Sequence, residues 1–234
     1  PGSALYGSNA VHGLINFIAA PLDDAARSLD VAAGSYGRHA LGLMSSQTHE
    51  GFTSRVTLDL NGEEDGYRDE QSFGQQKARV ESAWETAGTN YRFSLSAMNP
   101  NQETAGYIKA KGDLDPSNAS DVGDLVAACR TVNGPAYENE ACAKSNPNPE
   151  AYRDAEAYRT YLRMSRTLDD GAKLTLTPYA RSNDMTFRMH FLPTNPIEEN
   201  SHTSVGLQTS YARSAAGVDY VAGIDVELTQ GELS

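Results

Sequence analysis

The sequence predicts an all-β fold of antiparallel strands, and two features of its pattern carry that prediction. Apolar and polar residues alternate through most of the chain, which is the period of a strand with one apolar and one polar face. The alternating segments number about nine, each is roughly ten residues long, and long polar loops between them alternate with short turns. Alternation alone is as typical of a soluble antiparallel sheet as of a transmembrane β-barrel, so the pattern leaves both classes open.

The first part of the chain holds five predicted strands. They cover residues 28–33, 39–48, 52–61, 75–86 and 91–99. The alternation is clearest in 75–86, where one face carries Ala78, Val80 and Trp84 and the other carries Lys77, Arg79, Glu81 and Glu85. Short turns are predicted at 47–51 and 87–90, and a polar loop is predicted at about 62–74.

A long polar interruption, at about 99–151, separates these strands from a second group. That group covers residues 152–168, 172–181, 203–211 and 218–228, with short turns at 169–171 and 214–217 and a loop at about 182–201. A structureless segment as long as 99–151 counts against a compact soluble domain. Long loops on one side and short turns on the other are the expected asymmetry of an outer-membrane barrel.

Aromatic residues recur beside the predicted short turns. The residues concerned are Phe52, Trp84, Tyr91, Tyr211 and Tyr220. Rings at one common level are typical of the aromatic girdle that marks a membrane interface.

Composition excludes several functional classes. The net charge of −12 and the pI near 4.8 argue against nucleic-acid binding, which requires a basic surface. No segment approaches the roughly 20 apolar residues of a membrane helix, although barrel strands would escape that criterion. Because nucleophile-elbow, zinc-protease and phosphate-loop motifs are missing from the sequence, we predict a protein that is not an enzyme and binds no cofactor.

Two further patterns concern metal binding and redox state. The acidic run 59–66 has the oxygen spacing of a calcium loop, but Ser72 stands where a bidentate glutamate is needed, so we predict no metal site. Cys129 and Cys142 lie close in sequence within a polar stretch, which favours a disulfide formed in an oxidising compartment. Two unpaired thiols are the alternative.

The opening segment, residues 1–21, reads PGSALYGSNAVHGLINFIAAP. Its fixed order of small residues, tyrosine and asparagine resembles the end of the plug domain of TonB-dependent outer-membrane receptors, with departures at Phe17 and Ala19-Ala20. A second segment is similar to a strand–loop–strand in barrels of the same family. It carries LTPY at 176–179, NDM at 183–185, HFLP at 190–193, EEN at 198–200 and SVGLQT at 204–209.

This resemblance implies a partial transmembrane antiparallel β-barrel of about nine of roughly 22 strands. Residues 1–27 would be the C-terminal end of the plug and its connector. Residues 28–234 would be the N-terminal part of the barrel, with extracellular loops at about 62–74, 99–151 and 182–201. The chain would then be a fragment of a longer protein, in the bacterial outer membrane and monomeric when complete.

The function implied by the resemblance is active import of a scarce ligand, powered by the TonB complex through an upstream segment. The ligand would be a siderophore-iron complex, a cobalamin or a carbohydrate. A surface-binding barrel or adhesin without transport is an alternative, and a secreted all-β binding domain is another.

The resemblance also assigns a role to the charged side chains of the strands, which would face the lumen. They are Lys77, Arg79, Glu81, Glu85, Arg159, Arg163, Asp219, Asp225 and Glu227. A charge on the lipid face costs about 2–4 kcal/mol at the bilayer midplane, so a membrane setting requires such segregation. The candidate substrate contacts lie at the predicted loops: Arg153 and Arg181 at the strand ends that border loops 99–151 and 182–201, and Arg188 and His190 within loop 182–201.

Overall fold

The computed structural model describes residues 22, 26–105, 146, 148–189, 194–215 and 217–234. Within these ranges the regular structure is a nine-stranded sheet in sequential order, with each strand antiparallel to the next. The strands are β1 (Arg27–Ala33), β2 (His39–His49), β3 (Phe52–Glu63), β4 (Phe73–Thr86), β5 (Thr89–Glu103), β6 (Tyr152–Thr167), β7 (Lys173–Arg188), β8 (Ile197–Ala215) and β9 (Val218–Leu233). The predicted all-β antiparallel fold is confirmed.

No helix in the described part of the chain is long and apolar enough to cross a membrane.

Two hairpins close with turns of two residues, as the short predicted turns require. Glu50 and Gly51 join β2 to β3 with φ values of 49° and 80°, and Ala87 and Gly88 join β4 to β5 with 50° and 69°. Positive φ at both central residues belongs to the hairpin turn whose twist matches that of the strands. Glycine adopts it without strain at the second position of each turn.

Strand register places the apolar side chains on one face of the sheet, here called the apolar face. Val56, Val80 and Leu95 occupy directly paired positions on β3, β4 and β5 and are 44%, 39% and 46% exposed. On β9 the same face carries Ile224 and Leu228, at 69% and 72%. Among the described residues no second layer covers these side chains, since they stay exposed and the extensive contacts between strands are confined to sheet neighbours.

The opposite face, here called the polar face, is the more closely packed of the two. Glu81, Ser94 and Ser204 are 3%, 3% and 1% exposed. A soluble sheet buries its apolar face and exposes its polar one, so this arrangement is inverted. An apolar face of this extent is unfavourable in water and needs a nonpolar covering.

The strands extend further at the long-loop end than the sequence predicts. β5 continues to Glu103, β7 to Arg188, and β8 begins at Ile197, so the predicted loops 99–151 and 182–201 are too long at those ends. The alternation of apolar and polar residues stops before the strands end. The backbone pairing continues past that point, because its hydrogen bonds do not depend on apolar side chains.

The apolar band crosses the rows of paired residues obliquely. One row begins with Leu41 and Leu60 on β2 and β3, and it reaches Glu156, Asp184 and Glu232 on β6, β7 and β9. The apolar band therefore ends nearer the short turns on β7 and β9 than it does on β2 and β3. Strands that are tilted through a planar nonpolar layer give this offset.

Aromatic rings lie together on the apolar face near the short turns. The ring centroids of Phe52 and Trp84 are 5.8 Å apart, and those of Trp84 and Tyr91 are 5.2 Å apart with an interplanar angle of 3°. Trp84 and Tyr91 are directly paired between β4 and β5, and Phe52 is the first residue of the neighbouring strand β3. The stack supports the predicted aromatic level at this end of the sheet.

A charge on the apolar face should destabilise the protein in a membrane or detergent. We expect Leu207→Arg to lower the free energy of unfolding of the full-length protein by about 2–4 kcal/mol, because the guanidinium would enter the nonpolar layer. Chemical denaturation in lipid vesicles measures this change.

The neighbouring residue supplies a matched control for the opposite face. Gln208 donates to Asp225 at 3.1 Å, so Gln208→Arg places a cation beside a carboxylate and should change stability by less than about 1 kcal/mol. Equal costs at the two positions would contradict the assignment of the faces.

Candidate functional site

The polar face collects the charged residues that the sequence singles out. All of the predicted lumen-facing residues share this face. Directly paired residues on neighbouring strands point to the same side of the sheet, so odd or even numbering within a strand (its parity) fixes the face of each side chain. They are Lys77, Arg79, Glu81 and Glu85 on β4, Arg159 and Arg163 on β6, and Asp219, Asp225 and Glu227 on β9. That this face borders a lumen stays a prediction.

A buried carboxylate holds the first group of charges together. Glu81 Oε1 lies 2.9 Å from a guanidinium nitrogen of Arg79 and 2.9 Å from one of Arg92. Arg79 also donates from Nε to Ser94 Oγ at 3.3 Å, and Arg55 occupies the position paired with Glu81 on β3. The carboxylate thus links strands β4 and β5, and the cations offset the cost of its burial.

A second group of polar contacts links β7 to β9 across β8. Arg181 donates to Glu227 Oε1 at 2.5 Å, and the Tyr179 hydroxyl donates to Glu227 Oε2 at 2.7 Å. Thr229 donates to the same carboxylate at 2.8 Å. Charge-assisted bonds of this kind are among the stronger contacts available to a strand side chain.

Tyr179 reaches β9 because glycine stands between the two strands. Gly206 is paired with Tyr179 on one side and with Glu227 on the other. A Cβ at Gly206 would overlap the ring of Tyr179, so the ring lies over the glycine backbone. A cross-strand aromatic of this kind covers a position that otherwise weakens a strand.

The predicted substrate contacts that the structure describes all belong to strands. Arg153 lies in β6 and Arg181 in β7, at positions that the predicted strands already covered. Arg188 was expected in a loop but also belongs to β7, because that strand extends past the end of the apolar pattern. Arg153 lies over the ring of Phe187, with its guanidinium carbon 4.4 Å from the centroid. Their contact with a substrate stays a prediction.

Arg188 pairs with Glu150 at the long-loop end, on the opposite parity from Arg153 and Arg181. The structure therefore does not bring the predicted substrate contacts into one cluster. His190 lies outside the described residues, as do Cys129 and Cys142, so the predicted disulfide stays a prediction.

Contacts between loops order part of the long-loop end. Arg38 and Glu63 form an ion pair of 2.6 Å, and the rings of Tyr36 and Tyr67 meet edge to face at 6.3 Å. Burial lowers the pKa of Arg68 in the same region, while the Asp69 carboxylate acts in the opposite direction.

Two hollows lie against the polar face. One, of about 460 Å³, is lined by Arg55, Asp59, Lys77, Arg79, Glu81, Arg159 and neighbouring small or apolar residues. The other, of about 560 Å³, lies nearer the short turns and is lined by residues that include Leu22, Arg92, Arg163 and Lys173. Leu22 is only 5% exposed and lines this second hollow, so its side chain contacts this face. Both hollows could hold a polar group, and cations contribute to both.

Across the described ranges, no group of three or more histidine, cysteine, aspartate or glutamate residues is placed to hold a metal ion.

Sequence reasoning missed Arg55, Arg92 and Tyr179 as members of the polar-face network. Arg92 and Tyr179 have the parity of the polar positions on their strands, and that signal was available from the sequence. The partners of Arg92 and Tyr179 could not be identified from the sequence, because Glu81 and Glu227 lie on other strands and only the strand register brings them close.

Solved structures with this fold are found among outer-membrane import receptors. The chain is similar to the ferric-catecholate import receptor Fiu from E. coli K12 (closed form), with TM-score 0.68, 13% identity, and coverage of 99% of this chain and 35% of that one. It is also similar to the siderophore receptor PiuA from Acinetobacter baumannii, with TM-score 0.69, 12% identity, and coverage of 99% and 34%. For the ferripyoverdine receptor of P. aeruginosa the TM-score is 0.59 and the identity 9%, with coverage of 88% of this chain and 28% of that one.

These matches confirm the predicted all-β fold, which is the fold of part of each of these receptors. The chain spans about a third of the length of the receptors Fiu and PiuA. No protein-family model matches the sequence, and no curated protein does so.

Filling the space over Gly206 should weaken the contact between β7 and β9. We expect Gly206→Ala to lower the free energy of unfolding by about 1–3 kcal/mol, because the methyl group displaces the Tyr179 ring from Glu227. The loss of the folded electrophoretic band of the full-length protein on heating measures it. Gly74→Ala is the control, since no atom lies within 4 Å of a Cβ there, and an equal loss in both variants would refute the contact.

Removing the buried charge of Glu81 should leave two guanidiniums without their shared carboxylate. We expect Glu81→Gln to destabilise the full-length protein by about 1–3 kcal/mol in chemical denaturation. Glu85→Gln, on the same strand and face but exposed, should stay within about 0.5 kcal/mol of the wild type. A similar effect at the two positions would show that the cluster contributes nothing specific.

Proposed function

We propose that the chain is part of a TonB-dependent receptor that imports a scarce ligand across the bacterial outer membrane. The observation that supports this most directly is the inverted sheet, with exposed apolar side chains on one face and packed charges on the other. Lipid is the covering that such an apolar face requires. The likeness to import receptors over nearly all of the chain supports the same conclusion.

In this proposal the polar face borders the lumen of the complete barrel. A barrel of roughly 22 strands encloses a wide channel that must be plugged. Residues 1–27 would supply the end of that plug and the connector, and the contact of Leu22 with the polar face is consistent with a connector that enters the lumen. The TonB complex would act on a segment upstream of Pro1.

Among the predicted cargo classes we favour a siderophore-iron complex over a cobalamin or a carbohydrate. The support is the cargo of the similar structures, which are a ferric-catecholate import receptor, a siderophore receptor and a ferripyoverdine receptor. Arg153, Arg181 and Arg188 are our candidate ligand contacts on this chain, with His190 beside them in sequence.

Deletion of the full-length gene tests import directly. We expect the deletion strain to lose growth on one member of a panel of ferric siderophores, cobalamins and glycans supplied as the limiting nutrient. The full-length gene should restore growth only where TonB is present, because import depends on its energy coupling.

A variant of the full-length receptor without its TonB-binding segment is the matched control. It should bind the nutrient at the cell surface without supporting growth. Surface binding with no nutrient phenotype in any strain would contradict import and favour a binding barrel or adhesin.

A further inference from the structure

We infer that the polar faces of β5, β6 and β7 form one binding surface for a cargo that carries several anionic oxygens. We call this surface the cationic stripe. Its charged members are Arg92 on β5, Arg153, Arg159 and Arg163 on β6, and Lys173 and Arg181 on β7. The inference rests on the proposed function, since it takes the polar face to border the path of the cargo.

The sign of the charge is uniform along the stripe. Every charged side chain on the polar faces of these three strands is a cation, although the whole chain has a net charge of −12. Carboxylates on the polar face stand to either side: Glu81 and Glu85 on β4, where Lys77 and Arg79 accompany them, and Asp225 and Glu227 on β9. Only the three central strands carry charge of one sign on this face, which makes the stripe the uniformly positive part of the polar face.

Pairing along the stripe sets like charges directly opposite each other. Arg92 is paired with Arg163 between β5 and β6, and Arg159 is paired with Arg181 between β6 and β7. Like charges at paired positions destabilise a sheet unless anions compensate them. Folding alone gives no reason for this arrangement.

Carboxylates on the neighbouring strands compensate only one member of each pair of arginines. Arg92 binds Glu81, and Arg181 binds Glu227. Arg159 and Arg163, the β6 members, have neither an ion pair nor a hydrogen bond from their side chains to any residue that the structure describes, and both are exposed. A guanidinium fork with no bound acceptor is suited to a carboxylate, phosphate or catecholate oxygen pair.

The two uncompensated arginines each border a hollow. Arg159 lines the hollow of about 460 Å³, and Arg163 lines the hollow of about 560 Å³ nearer the short turns. Arg153 continues the stripe towards the long loops, and Lys173 continues it towards the turns. The cations thus follow the strand direction, which is the direction an imported anion would travel.

Two iron chelates of similar octahedral shape but different charge serve as probes. A ferric tris-catecholate is trianionic, and a ferric trihydroxamate is neutral. Purified full-length receptor is titrated with each chelate by equilibrium dialysis, and the chelate is followed by its visible absorption. Uptake of each chelate labelled with radioactive iron is then measured in the deletion strain carrying the same variants.

The variant Arg159→Gln/Arg163→Gln removes the two uncompensated cations. We expect it to bind and import the trianionic chelate about tenfold less well, with the neutral chelate unaffected. Arg166→Gln is the matched control, because Arg166 lies on β6 with the opposite parity and should leave both chelates unchanged. Equal abundance of folded receptor in the outer membrane is verified for all three proteins.

The outcomes separate this inference from the function on which it rests. Binding of the trianionic chelate that depends on Arg159 and Arg163, without uptake by any strain, would contradict import and support the stripe. Equal uptake of the two chelates, unchanged by both substitutions, would support import and contradict the inference that the stripe binds an anionic cargo. If the double variant instead makes cells permeable to large antibiotics with unchanged chelate selectivity, the stripe holds a protein segment and the inference is wrong.

Discussion

The rest of the structure depends on continuous backbone pairing that keeps one side-chain parity across nine strands. Because each strand pairs with the next without a break in parity, apolar residues far apart in the sequence share one face and charged residues share the other. Neither face could form alone. The apolar face needs a nonpolar covering, and the polar face needs the contacts that its own charges make between strands.

Those contacts differ from an ordinary hydrophobic core in what they specify. Glu81 and Glu227 each accept bonds from side chains on other strands, and both carboxylates lie on the face where the sheet is packed most closely. Apolar packing tolerates exchange among side chains of similar volume, whereas a charged group accepts only a partner of opposite sign at the correct position. The polar face therefore contributes specificity to a sheet whose apolar face is uniform.

The sequence predicted the strands and their facing well, because alternation is a local property that single strands display. It predicted the long-loop ends of β5, β7 and β8 poorly. There Asn101, Asp184 and Glu199 place polar side chains on the face that is apolar nearer the short turns. The partners of Arg92 and Tyr179 could not be predicted, because they depend on register between strands. The loop assignment of Arg188 failed for the same reason as the strand ends, because β7 continues to that residue.

The oblique course of the apolar band has a consequence for how pairing errors are rejected. A slip of two residues preserves the alternation of the faces, so facing alone cannot detect it. In the proposed membrane setting the edge of the apolar band does detect it, because such a slip on β6 or β7 towards the short turns would move Glu156 or Asp184 closer to the acyl chains. Under that proposal, the boundary between carboxylates and aliphatic side chains fixes the depth at which each strand can lie in the bilayer.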